Sequence, residues 1–164
     1  MPDNMLSSTA SDEESPAPDS NSADIRLAAM NLLARREHSV QELRIKLKRR
    51  FADETTIEEQ LSRLTKEQLQ SDARFAESYL RQRIDRGYGP VRLREELRER
   101  GVSEGDVETA LEELEVNWHS LAADVLQRKF GTGAPQDFKE KARRARFMQY
   151  RGFAAEHYQK LIPH

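Results

Sequence analysis

The chain has 164 residues, 34% of them charged and 37% hydrophobic, with a formal net charge of -2. That length fits one compact unit or a row of small ones, and so thin an apolar fraction cannot fill a deep single core. With no Cys, disulfides, thiol nucleophiles and thiolate metal sites are excluded.

Charge is segregated along the chain. Residues 1–23 carry Asp3, Asp12, Glu13, Glu14 and Asp19, no basic residue and almost no apolar one. Such a segment cannot offset its ordering entropy by burial, so a disordered acidic tail is predicted over 1–23. Residues 25–51 are mostly basic, 102–117 carry only acidic charge, and 135–164 return to a basic excess. The N-terminus resembles neither a signal peptide nor a transit peptide. No apolar run approaches the roughly 18 residues of a membrane span, so a cytoplasmic protein is expected.

Asp24 is placed to cap a first helix whose apolar face is Ile25, Ala28, Ala29, Leu32 and Leu33. Ser39 and Glu42 have capping-box spacing, ahead of Val40, Leu43, Leu47 and Phe51 on one helical face. Thr56 and Glu59 repeat that spacing before Leu61 and Leu64, and Asp72 can cap a helix carrying Phe75, Tyr79, Leu80 and Ile84. Gly87 stops that helix, and Gly89-Pro90 starts the next because proline at the first helical position loses no needed hydrogen bond. A stripe of Leu93 and Leu97 runs to Gly101-Val102, and Ser103 opens a helix with Val107, Ala110, Leu111 and Leu114. Further helices are predicted over 118–130, 136–150 and 154–161, and no strand.

These helices fall into three groups of three. Leu47, Leu97 and Met148, each followed three places on by Arg50, Arg100 or Arg151, recur at spacings of 50 and 51 near the ends of basic middle helices. The prediction is an all-α array of tandem three-helix, helix-turn-helix-like units over 24–70, 71–116 and 117–164, each too small to be stable alone.

These motifs resemble the RecX family. Ala34-Arg35-Arg36-Glu37-His38-Ser39 with Glu42-Leu43 and Lys46-Leu47 is similar to its opening repeat. Asp72-Ala73-Arg74-Phe75-Ala76, Gly87-Tyr88-Gly89-Pro90 and Arg100-Gly101-Val102 resemble its second, and Arg146-Phe147-Met148-Gln149-Tyr150-Arg151-Gly152-Phe153 its close. The resemblance spans about 25–162. It implies an elongated, curved array lying in the groove of a RecA filament on single-stranded DNA, where it restrains ATP hydrolysis, strand exchange and filament growth. It also implies action as a monomer, with direct DNA binding weak at most.

No catalytic constellation accompanies it. His38, His119, His157 and His164 show no metal-ligand spacing, Gly131-Thr132-Gly133 lacks the lysine of a phosphate loop, and no cofactor or enzymatic activity is expected. His38 reads as a helix-end residue facing the helix dipole.

The arginines carry the binding expectation. Arg35, Arg36, Lys46 and Arg50 in the first unit, Arg81, Arg83, Arg86, Arg92 and Arg98 in the second, and Arg143, Arg144, Arg146 and Arg151 in the third are candidates for one continuous basic strip facing RecA and DNA. Salt-bridged helix faces are the competing reading, above all for Arg94 and Arg98 beside Glu95 and Glu99. Tyr88, between two glycines, is either packing between units or an outward stacking contact. Tyr79, Trp118, Phe147 and Tyr150 fall at helical spacing and are expected in the core. A stand-alone helix-turn-helix-like DNA-binding protein is the alternative, disfavoured by the near-neutral net charge.

Overall fold

The computed structural model describes residues 20–163; residues 1–19 of the expected acidic tail lie outside them, as does His164. Nine α-helices follow one another without a strand among the described residues: α1 (Ser20–Arg35), α2 (Val40–Lys48), α3 (Glu54–Lys66), α4 (Asp72–Asp85), α5 (Pro90–Glu99), α6 (Glu104–Leu114), α7 (Trp118–Phe130), α8 (Phe138–Arg151) and α9 (Ala155–Tyr158). A 3₁₀ turn over Gln159–Leu161 completes the ninth.

Each triplet closes on its own small core. Ile25, Leu43, Leu47, Ile57 and Leu64 fill the first, Phe75, Leu80, Leu93, Leu97 and Val107 the second, and Ala122, Val125, Met148, Phe153 and Tyr158 the third. The main helix packing is α1 with α2 and α3, α4 with α5 and α6, and α7 with α8 and α9. Apolar stripes this narrow cover one facing helix pair and no more, so three cores form in series. Trp118 packs against both the second and the third core, as an apolar bridge between them.

The caps differ from the sequence reading in instructive ways. Ser39 and Glu42 form the expected box on α2. α1 begins at Ser20, so Asp24 sits one turn inside it rather than capping it. Asp53, not Thr56, caps α3 by accepting from the Thr56 amide at 3.1 Å and its hydroxyl at 2.6 Å. Ser71 caps α4, which frees Asp72 to accept from the Val40 amide at 2.9 Å and from Gln70 Nε2 at 2.8 Å. A local pattern cannot distinguish Ser71 from Asp72, because the two candidate caps stand side by side and a tertiary contact with Val40 claims one of them.

The units join end to end through their middle helices. Ser39 at the start of α2 donates its hydroxyl to the Arg100 carbonyl at 2.8 Å, and Gln41 Nε2 donates to the Glu99 carbonyl at 3.0 Å. At the second joint, the Gly89 amide donates to the Arg151 carbonyl at 2.8 Å, the Val91 amide to the Gly152 carbonyl at 2.9 Å, and Arg92 to the Tyr150 carbonyl at 3.0 Å. The C-terminal carbonyls of one helix, orphaned within it, are satisfied by groups at the N-terminus of the next. The dipoles of α8, α5 and α2 thus meet head to tail. Gly101 and Gly152, both at positive φ, form the receiving ends, where a side chain would strike Gln41 and Arg92 respectively.

Candidate functional site

The expected strip is not continuous, because much of it is spent on internal contacts. Arg83, Arg92 and Arg151 gather around Tyr88, with guanidinium carbons 3.8, 4.6 and 4.9 Å from its ring centroid. Arg83 and Arg92 both donate to Glu96, at 2.7 and 2.8 Å, and the Tyr79 hydroxyl donates to it as well. Arg151 donates to the Arg86 carbonyl at 2.8 Å. Burial pushes the Glu96 carboxyl up, but the hydrogen bonds from Arg83, Tyr79 and Arg92 outweigh it and hold its pKa at about 2. Burial and the hydrogen bond to Glu96 lift the Tyr79 phenol to about 12. Tyr88 is therefore packing between units, and Arg83, Arg92 and Arg151 hold the joint.

Arg144 does not stand on the expected strip. It is 5% exposed and turned inward, donating to Glu140 at 2.8 Å and to the Gly133 carbonyl at 2.9 Å. It cannot belong to an exposed strip. Arg36 pairs with Glu42, Arg81 with Glu77, and Arg98 with Glu95. Arg143 lies against the Phe130 ring at 5.3 Å, while Arg86 and Arg146 are exposed without an ion pair among the described residues. Tyr150, expected in the core, is 70% exposed, with Arg92 over its ring at 4.8 Å. Tyr79 and Phe147 are half-buried at the edges of their cores.

What remains open is concentrated in the first unit. Arg35 at the end of α1, Lys46 on α2, and Arg49 and Arg50 in the turn that follows it line a groove of about 430 Å³ floored by Ala28, Leu32 and Leu47. No carboxylate lines it. Arg35, Arg49 and Arg50 make no ion pair among the described residues. Lys46 Nζ is held 2.9 Å from His38 Nε2, and burial and the Arg36 charge lower its pKa. An ammonium can only donate, so Nε2 accepts and the Nδ1 proton of His38 goes to the Arg36 carbonyl at 3.0 Å. Burial, then the charges of Arg36 and Lys46, hold His38 below its ordinary range, against the hydrogen bond to Arg36. His38 is thus a buried brace for Lys46, not a helix-end residue meeting a dipole. Arg49 lies in the basic stretch of the first unit, and it forms a groove wall only because α1 is packed opposite it.

Such a groove can hold a phosphate backbone or an acidic side chain, since its charge is uncompensated and its floor is apolar. Among the described residues no group of three or more His, Asp or Glu is placed to hold a metal ion, and no helix is long and apolar enough to cross a membrane.

Comparison with known proteins matches this arrangement unit by unit. The models for the first, second and third three-helix domains of RecX match residues 26–64, 71–111 and 119–162. The regulatory protein RecX of Pseudomonas putida is 49% identical over 138 residues, covering 84% of this chain and 88% of that one. That of Halorhodospira halophila is 47% identical over 132 residues, covering 80% and 82%. A crystal structure of RecX from Lactobacillus salivarius superposes with a TM-score of 0.68 at 21% identity, over 87% of this chain and 94% of that one. A second RecX crystal structure gives 0.70 at 23%, over 87% and 71%. With three family domains in order and close relatives spanning most of its length, the chain belongs to the RecX family.

Proposed function

We propose that this protein binds RecA filaments on single-stranded DNA and inhibits RecA's ATP hydrolysis, strand exchange and filament growth, acting as a non-catalytic cytoplasmic monomer in the control of recombination and repair. Family membership supports a regulatory role. The observation that carries the binding mode is the first-unit groove, lined by four cations and no carboxylate.

The alternative, a helix-turn-helix reader of duplex DNA, is less well supported. Such readers insert the N-terminal residues of a recognition helix into the major groove. Here the N-termini of α2 and α5 are occupied by the C-termini of α5 and α8.

The test is RecA's DNA-dependent ATP hydrolysis together with co-sedimentation of the protein with the filament. Wild-type protein is expected to suppress turnover, and Arg35→Glu/Arg49→Glu/Arg50→Glu to suppress it far less with an unchanged helical spectrum. Unaltered turnover across a wide range of wild-type concentration would remove the proposal.

A further inference from the structure

The three units share one groove, between the middle and last helices, and the third unit has opened it. In the first unit Arg44 on α2 pairs with Glu58 on α3 at 2.5 Å, and in the second Arg94 on α5 pairs with Glu108 on α6 at 2.6 Å. These are the same two positions, 50 residues apart. In the third unit, 51 residues further on, they hold Ala145 and Gln159, and no ion pair closes the groove. In the second unit the groove is about 240 Å³. In the third it is about 510 Å³, lined by Phe138, Ala142, Ala145, Ala155, Tyr158 and Ile162 among others. Phe138, on an extra turn that α8 adds at its N-terminus, stands 83% exposed on the rim.

The charge around the opening has changed as well. Lys141 lines the groove, and Lys139, Ala142 and Arg146 lie in one row of α8 at steps of three and four. The position of Arg146 is held by Glu95 in the second unit. Of the nearby carboxylates, Asp137 caps α8 by accepting from the Glu140 amide and Glu140 pairs with Arg144, which leaves Glu156. A concave floor of alanines beneath a basic rim suits an apolar side chain flanked by carboxylates. A bare phosphate would gain nothing from the apolar floor.

We propose that the α8/α9 groove of the third unit seats an apolar anchor from an acidic segment of the filament's protein subunit, an inference that rests on the filament-regulator reading above. The groove recognises protein, and the first-unit cations act separately from it.

Two variants test this with RecA filaments on single-stranded DNA. Ala145→Arg/Gln159→Glu restores the ion pair of the other units and fills the groove, and Phe138→Ser removes the exposed rim. Both are expected to keep the thermal midpoint and to weaken filament binding about tenfold, the effect of losing one buried anchor. In addition, the chain has no native cysteine, so Glu156→Cys carries a benzophenone at the rim and nowhere else. Irradiation on the filament is expected to join it to the RecA subunit. Cross-linking to DNA alone would overturn the inference, as would full binding by both variants. In either case wild-type binding would leave the filament-regulator reading standing, whereas wild-type protein without filament affinity would remove both.

Discussion

Gly89 and Gly152 meet backbone to backbone: a Cβ on Gly89 would lie 2.5 Å from the carbonyl carbon and oxygen of Gly152. Gly152 itself has φ +94 and no space towards Arg92. The second and third units thus meet here through two residues that have no side chain. Around that contact Tyr88, Arg92 and Arg151 assemble.

Gly152→Ala should loosen this joint. Left-handed backbone costs an ordinary residue about 1–2 kcal/mol, and the clash with Arg92 adds about 1–3 kcal/mol. The thermal midpoint should fall by several degrees, and the fluorescence of Trp118, the single tryptophan and a bridge between the two cores, should report the loss. Gly105→Ala is the control. It lies in α6 with nothing within 4 Å of its added Cβ, so it should stabilise the protein by about 0.5–1 kcal/mol.

Glu96 sets an acid limit for the second unit. Its folded pKa of about 2 lies below the ordinary 4.5. The stabilisation is therefore complete above pH ~4.5 and is lost as pH falls towards ~2. Glu96→Gln should cost on the order of 2–3 kcal/mol at neutral pH, because each tenfold change in proton affinity between folded and unfolded chain is worth about 1.4 kcal/mol. Denaturant midpoints of the two proteins should converge as pH approaches 2. A constant gap across that range would refute the network.

His38 should titrate below 6.5 in the folded protein. Stability linked to it is full above pH ~6.5 and falls as pH drops below that value, because the unfolded chain then binds the proton more readily. Lys46→Met removes one of the two repelling charges while leaving the ring buried. The His38 imidazole resonances should then shift to a higher pKa by NMR, though burial keeps it under the free value.

Neighbouring arginines should differ sharply. Arg144→Ala empties a buried position and strands the Gly133 carbonyl, so the melting temperature should fall clearly, although Glu140 is exposed enough for water to take over its carboxylate. Arg143→Ala, exposed against Phe130, should stay within about 0.5 kcal/mol. Likewise Arg92→Glu should weaken the joint while Arg98→Glu, one of an exposed pair, leaves melting almost unchanged. Circular dichroism melts of the four variants decide this.

The sequence alone determined the helices, their triplet grouping and the family, since these rest on local signals: apolar steps of three and four, glycine stops and the 50-residue recurrence of Leu47, Leu97 and Met148. It also marked the right stretches as basic. Which arginines face outward was decided only by tertiary structure. Arg143 and Arg144 are adjacent and chemically identical, yet one meets solvent and the other meets Glu140 and the Gly133 carbonyl 11 residues away. Arg92 and Arg98 sit on one helix, but only Arg92 stands where the next unit's C-terminal carbonyls arrive. A side chain's partners at a joint come from 58 to 65 residues away in the chain, and no periodicity within one helix can register them.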